Sequence, residues 1–368
     1  MIIEKISILN FKNIAQADLR FSPKINCLFG NNGMGKTNLL DALYYLSFCR
    51  NHTNLPDSQL IMHGRDFAVL QACYRFEDQT EDIYCGIRYR QRKILKRNKK
   101  EYERLSEHIG LLPLVMISPA DSDLIHGGSE GRRRFIDVVI SQFDKAYLQA
   151  LIKYNKALLQ RNSLLKDASL PDQSLFEIWE EQLSTHGQMI HQKRNAFVAE
   201  FLPIFRQFHQ TICQEGDAVG LQYESQLNHK ELRGMLSAER QRDRLLGYTS
   251  CGIHKDDFYF MLDDYLIRKI GSQGQNKTCL IALKLAQFYF LVKTGASVPI
   301  LILDDVFDKL DSRRVEQIVG LVSQSQFGQI FITDTNRKYL DEIITAMHHD
   351  YKLFQVENGR FDEIENKA

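Results

Sequence analysis

Apolar residues near the start of the chain fall in two short β-rich runs, residues 2 to 10 and 24 to 29, and the second opens into a glycine-rich loop. From Thr37 onward Leu39, Leu40, Leu43 and Tyr44 recur at helical spacing, so the pattern predicts strand, loop, helix. Residues 67 to 76 and 81 to 90 form two further strands separated by the polar EDQTED, and RKILKRNKKEY predicts another with a turn at Asn98. Short turns between successive strands predict an antiparallel meander.

From about Ser129 to Thr211 the period changes. Phe135, Ile136, Val139 and Ile140, then Leu148, Leu151, Leu158 and Leu159, keep helical spacing until a break around Pro171. Leu175, Ile178, Trp179, Leu183, Ile190, Phe197 and Phe201 carry a second long helical segment, with no heptads sustained enough for a coiled coil. The last 120 or so residues return to alternation, since VPILILDD and GQIFITDTN read as buried strands with a helix, Ser312 to Ser323, between them. The expected organisation is a head split between residues 1–128 and 251–368, with a helical lobe, 129–250, inserted.

At 368 residues and 44% hydrophobic content the chain can bury a sizeable core. Its apolar runs, Val298 to Leu303 among them, are far short of the roughly 20 residues of a membrane span. The N-terminus has neither a secretory cleavage site nor a lipidation motif, so the expectation is a cytoplasmic protein with no membrane partner. Seven scattered cysteines without a C-x-x-C pair argue against disulfides and zinc. A net charge of +1 excludes a globally basic nucleic-acid binder but not a local patch.

The glycine-rich loop is GNNGMGKT: Gly30, Asn31, Asn32, Gly33, Met34, Gly35, Lys36 and Thr37 fit G-x-x-x-x-G-K-[ST], between a strand and a helix as that phosphate-binding loop requires. Glycines let backbone N–H groups curl around phosphates, Lys36 reaches the β- and γ-phosphates of ATP, and the Thr37 hydroxyl suits Mg2+. The strand Ile300 to Leu303 ends in Asp304, placed to hold that magnesium, and Asp305, placed to orient or deprotonate an attacking water. Lys36 and Asp305 are candidate catalytic residues, with Thr37 and Asp304 as metal ligands.

A second stretch, GSQGQNKT from Gly271 to Thr278, looks like a copy of the first but has Asn276 where the loop has Gly35. A side chain there is a steric cost against a phosphate, and the preceding YLIRKI carries two cations, so a second cradle is not expected. Ser272, Gly274 and Gln275 instead open a predicted helix, Lys277 to about Val292, which lies some 30 residues before the acidic strand end.

These blocks in this order, with LNFKN (Leu9 to Asn13), EGRRRFID (Glu130 to Asp137), HKDD (His254 to Asp257) and LDDVFDKLD (Leu303 to Asp311), resemble the RecF family of SMC-like ATPases. The resemblance spans nearly the whole chain. It implies an α/β fold, an ABC-type P-loop ATPase head with a mixed sheet, an antiparallel meander and an inserted helical lobe. It further implies an ATP-dependent homodimer that binds DNA at gaps and junctions, works with RecR and RecO, and assists RecA loading in replication and repair. Ser272, by this resemblance a third candidate catalytic residue, would complete the partner's ATP site with Gly274 and Gln275, and residues 308–311 would lie at the dimer interface. Departures are Asn276 and Lys277 in the signature, Ile253 in place of a proline, Thr333 in place of a phosphate-sensing histidine, and Asp305 in place of a glutamate. The last implies slow hydrolysis. Alternatives are another SMC-like ATPase, a P-loop kinase, or a DNA-binding scaffold that binds ATP without turnover.

Arg88 to Arg104 holds nine Lys or Arg among seventeen residues. Arg88, Arg90, Arg92, Lys93, Lys96, Arg97, Lys99 and Lys100 are the candidate DNA contacts, weighed against a merely solvated hairpin rim. Arg132 to Arg134 can brace the fold, and His254, Asp256 and Asp257 read as a structural turn and hydrogen-bond network before a metal site. Lys12 and Asn13 are candidates to touch the nucleotide.

Overall fold

The computed structural model describes the chain apart from residues 54, 78, 168–171, 214–216, 296, 308–309, 325, 336–339, 342–343, 346–349 and 365–368. The expected break around residue 171 and the first two residues of the 308–311 segment therefore lie outside the described residues. Contact density divides the chain into two units. The first comprises Met1–Asp121, Thr211–Cys213 and Leu283–Ala368, and the second Ser122–Gln210 and Gln214–Ala282. The stretch expected to rejoin the head at residue 251 belongs to the second unit as far as Ala282, because its strand pairs there.

The chain opens with β1 (Ile2–Phe11), β2 (Ile14–Arg20), β3 (Ile25–Phe29), α1 (Lys36–Phe48), β4 (Phe67–Phe76), β5 (Gln79–Arg88), β6 (Ile94–Arg97), β7 (Lys100–Glu101) and β8 (Leu114–Ile117). Then come α2 (Asp123–His126), α3 (Ser129–Phe143), α4 (Lys145–Lys166), α5 (Gln173–Cys213), β9 (Val219–Glu224), α6 (Leu232–Ala238), α7 (Arg240–Leu246), β10 (Asp257–Leu262), β11 (Tyr265–Leu266), α8 (Ile267–Ile270) and α9 (Gln273–Lys293). β12 (Ile300–Asp304), α10 (Ser312–Val322), β13 (Ile330–Asp334), β14 (Tyr351–Glu357) and β15 (Arg360–Glu363) follow.

The first unit holds two six-stranded sheets. One, in the order β2-β1-β4-β5-β6-β7, is antiparallel and contains the expected meander. Its last turn is a two-residue hairpin in which Asn98 and Lys99 both have positive φ, 50° and 68°, the geometry that matches the twist of paired strands. The other sheet runs β15-β14-β3-β13-β12-β8 and is parallel except at β15. Every residue of β12 and β13 is buried, as strands covered on both faces must be. β3, from the first 30 residues, lies between β13 and β14, so the two ends of the chain share one sheet.

The buried amide of Gln329 stitches this unit further. Its oxygen accepts from Ile3 N at 2.7 Å, and its nitrogen donates to Ile3 O and Ser22 O at 2.8 Å each. A second buried tie joins the loop after β8 to α9, where Lys284 Nζ lies 2.7 Å from Asp121 Oδ1 and His52 Nε2 lies 3.4 Å from the same oxygen.

The second unit is built from α3, α4, α5 and the small sheet β11-β10-β9. Its core carries buried arginines that are each paired with carboxylates. Arg161 reaches Asp243 at 2.7 Å, Thr249 at 2.9 Å, Glu180 at 3.1 Å and the Leu236 carbonyl at 3.0 Å. Arg194 reaches Asp256 at 2.8 Å, Asp137 at 2.9 Å and the Ile253 carbonyl at 3.0 Å. Arg132 makes a forked pair with Asp257 at 2.7 and 2.9 Å. His254 meets Thr249 O at 3.0 Å and Tyr154 Oη at 2.9 Å, and burial pushes its pKa down to about 4. These contacts make HKDD a bracing turn, and among the described residues no cluster of His, Cys, Asp and Glu is arranged to hold a metal ion. Nor, among them, is any helix long and apolar enough to cross a membrane.

Burial works to raise the pKa of Asp121, but the ammonium of Lys284 and the bond from His52 outweigh it and hold the carboxyl at about 2. A depressed carboxyl stabilises the fold fully above its unfolded pKa, and that contribution disappears as pH falls through the folded value. Lys284→Met is therefore expected to cost about 3–5 kcal/mol near neutral pH by leaving a buried carboxylate short of its cation. In urea unfolding, the gap between the two proteins should narrow as pH falls from about 4 toward 2.

Candidate functional site

The phosphate loop follows from β3 being buried and α1 starting at Lys36. Between them Gly33 and Gly35 take φ of 80° and 115°, which an L side chain resists. A Cβ on Gly30 would lie 2.3 Å from the carbonyl oxygen of Val356 on β14. Gly35 is the N-cap of α1, no side chain caps that end, and its first turn has no acidic residue, so the helix start suits an anion. Asn31, Asn32 and Gly33 are exposed along the loop and Met34 is half-buried. Lys36 is buried, and its ammonium is held at the loop by Gly30 O at 2.6 Å and Asn31 O at 3.1 Å.

Thr37 and Asp304 are 267 residues apart in sequence, and the Thr37 hydroxyl lies 3.1 and 3.0 Å from the two carboxylate oxygens. The parallel pairing of β12 with β13 brings in Thr333, whose hydroxyl donates to Asp304 Oδ1 at 2.7 Å and accepts from Asp305 N at 3.0 Å. Burial raises the Asp304 pKa, the hydrogen bonds from Thr333 and Thr37 oppose it, and the charges of Asp305 and Asp41 add to it. Asp305 sits at φ 51°, a left-handed conformation that Asp tolerates, with its N–H anchored on Thr333. An exposed hydroxyl and a carboxylate converging from two elements are the hard oxygen donors that Mg2+ takes.

Asn13 does reach the loop. Its amide oxygen accepts from Asn38 at 2.7 Å, its nitrogen lies 3.5 Å from Gly33 O, and it is the nearest neighbour of a Cβ placed on Gly35. Lys12 pairs with Asp41 on α1. Sequence reasoning missed Asn38, Asp41 and the turn at Gly359, whose N–H donates to Met34 O at 2.7 Å. It noted Thr333 only as a departure. A hydroxyl one strand away from the acid was the available signal for its role.

The GSQGQNKT stretch lies in the second unit and has a different backbone. Gly271 has φ −69°, and Gly274 lies inside α9, which begins at Gln273 instead of the expected Lys277. The reason is a capping box. Gln275 N donates to the Ser272 hydroxyl at 3.2 Å, and Ser272 N donates back to Gln275 Oε1 at 2.9 Å. The Gln275 amide also reaches Asp217 at 2.6 Å. Asn276 is buried, with its amide nitrogen 3.3 Å from Gly271 O, folded back over the start of the stretch. The stretch is a helix start and not a second P-loop.

The basic segment is the β5–β6–β7 hairpin. Arg88, Arg90, Arg92, Lys99 and Lys100 are exposed, and Lys96 and Arg97 are half-buried. Arg97 forks onto Glu81, its Nε 2.6 Å from Oε2. Lys93 departs from the expectation of a DNA contact. Its ammonium is spent inside the unit on Cys49 O at 2.5 Å, Asp57 at 2.8 Å and Tyr45 Oη at 2.9 Å.

A family model described as the RecF/RecN/SMC N-terminal domain matches residues 2–361. The fold and the paired Thr37–Asp304 geometry thus define an ABC-type ATPase head of the SMC class. The chain is 63% identical over 365 residues to the DNA replication and repair protein RecF of Parabacteroides distasonis, covering 99% of this chain and 100% of that one. It is 57% identical over 368 residues to the RecF of Bacteroides fragilis, covering both chains fully. A solved structure of the recombination mediator RecF with ATP, of the RecFOR pathway, superposes with TM-score 0.88 at 28% identity, over 99% of this chain and 98% of that one. The Smc head of Pyrococcus furiosus bound to ScpA shares the fold, with TM-score 0.57 at 17% identity over 99% and 96%. The chain belongs to the RecF family.

A methyl group on Gly30 has nowhere to go, since the obstructing atom is backbone. Gly30→Ala is expected to lower stability in urea unfolding by about 1–3 kcal/mol.

Proposed function

We propose that this chain is an ATP-driven, DNA-binding recombination mediator of replication and repair. The convergence of Thr37 and Asp304, with Lys36 held at the same loop, is the observation that carries this reading. Gly30 to Thr37 bind the phosphates of ATP, with the N–H groups at the start of α1 and the Lys36 ammonium opposing their charge. Thr37 and Asp304 would hold Mg2+, which supplies charge neutralisation at the phosphates when bound. Asp305 accepts a proton from, or orients, the attacking water. Its side chain is one methylene shorter than a glutamate's, which fits slow turnover used as a switch.

Ser272, Gly274 and Gln275 present a capped helix start to the ATP held by a second copy, so ATP joins two chains. The relatives' name supports a role in DNA replication and repair, and the RecFOR description of the solved structure supports one alongside RecO and RecR; action at gapped or junction DNA, upstream of RecA, completes the proposal. The exposed cations of the hairpin, Arg88, Arg90, Arg92, Lys99 and Lys100, with Lys96 and Arg97 beside them, neutralise DNA phosphates without reading sequence.

Light scattering tests the reading. The mass should double on adding ATP and Mg2+, and Lys36→Met should abolish both ATP binding and doubling. Ser272→Arg should lose doubling while binding ATP within about twofold of the parent, because it affects only the partner's site. A Ser272→Arg protein that still doubles would remove the signature from the interface. Asp305→Asn is expected to lower the hydrolysis rate by about 100-fold or more and to prolong the dimer. Turnover equal to the parent's would remove Asp305 from catalysis.

A further inference from the structure

The P-loop helix α1 has a chemically defined far end. About 20 Å from Lys36, at 1.5 Å per residue, the helix ends at Phe48 with a left-handed cap at Cys49. Helix C-termini leave carbonyls without partners, and cations are favoured there. Here two such carbonyls are taken by side chains from one stretch, the basic hairpin and the segment that follows it. Lys93 Nζ donates to Cys49 O at 2.5 Å, and His108 Nε2 donates to Leu46 O at 2.6 Å. Lys93 also binds Tyr45 Oη on the same helix at 2.9 Å and lies 4.9 Å from the centre of the Tyr45 ring. Asp57, which accepts from Tyr45 Oη at 2.9 Å, closes the cluster at 2.8 Å from Lys93. His108 is fully buried and in turn meets Tyr102 Oη at 3.2 Å, just beyond β7.

We propose that Lys93 is a positioning residue through which the basic hairpin acts on the nucleotide loop. It rests on the reading that ATP binds the loop and DNA the hairpin. The Lys93 side chain is only 17% exposed while its neighbours Arg90 and Arg92 face solvent, so the short connection between β5 and β6 carries both solvent-facing cations and the bolt into α1. Eleven of the 13 residues of α1 are buried, so the helix moves as a body. A shift of that connection under DNA is therefore delivered through Lys93 to the C-terminal end of α1, where His108 also holds Leu46 O, and arrives at Lys36 and Thr37 at its other end. Coupling of this kind is reciprocal, so ATP must alter DNA affinity by the factor by which DNA alters ATP affinity.

The test titrates a fluorescent ATP analogue with Mg2+ into the full chain, with and without a 30-base-pair duplex at fixed salt, and repeats the DNA titration with and without ATP. The parent protein is expected to show a linkage factor of about fivefold or more in both directions. Lys93→Met should bind ATP alone within about twofold of the parent and have a linkage factor below about two, with Lys93→Arg restoring most of it. Asp57→Asn, which leaves the Tyr45 and Cys49 contacts in place, should reduce the factor by an intermediate amount. An undiminished factor in both Lys93→Met and Asp57→Asn overturns the proposal, as does a parent that binds both ligands without linkage. Loss of ATP binding by Lys93→Met in the absence of DNA also overturns it, since Lys93 would then support the site itself. Failure of the parent to bind ATP or DNA at all would instead sink the underlying functional reading.

Discussion

A buried carboxylate has to be hydrogen-bonded, and satisfying Asp304 organises the head. Its partners come from three places at once: Thr37 on the first turn of α1, Thr333 at the end of β13, and its own strand β12 between β13 and β8. For these hydroxyls to meet one carboxylate, β3 must pair with β13 in the observed register, and the loop after β3 must turn without side chains in its way. The glycines of the loop, the parallel sheet and the proposed metal site are in this sense one requirement. Thr333 has a double duty, since the same hydroxyl that binds Asp304 also anchors the backbone of Asp305 in its left-handed turn.

Much of this was legible in the sequence because it rests on local chemistry. The glycine pattern, the strand before it, the helix after it and the acid at the end of Ile300 to Leu303 each have a short-range cause. The meander was readable as well, since alternation in β4 and β5 and the paired positive φ at Asn98 and Lys99 belong to adjacent residues. What was not legible depends on long-range pairing. β14 pairs with β3 from the first 30 residues, and β9 pairs with β10 across two intervening helices, so nothing near either strand announces its partner. The capacity of Lys93 to contact DNA was misjudged for the same reason, because a cation in a basic run looks free until Asp57, Tyr45 and Cys49 fold against it.

The two similar octapeptides show how far a motif can mislead. GNNGMGKT and GSQGQNKT share two glycines and a Lys-Thr, yet only the first places glycines at positive φ. In the second the serine and glutamine close a capping box, Gly274 is ordinary helix, and Asn276 is buried against Gly271. Glycine at position 35 goes with a loop of left-handed glycines, and asparagine at position 276 with an ordinary helix start. The distinction is steric before it is electrostatic.

The Gln329 amide has a consequence for how the protein is made. Its partner Ile3 is synthesised first and waits for a residue 326 positions later, and β3 likewise waits for β13 and β14. At ordinary rates of translation that interval is roughly 15–65 s. Through it the apolar strands of the first unit leave the ribosome without the sheet that covers them, while the second unit already has its full complement of partners between Ser122 and Ala282. The nascent chain thus has a long interval of exposed edge strands, when chaperone capture or truncation would matter most, and a premature stop before β14 would strip one side of the sheet and leave β3 as a bare edge.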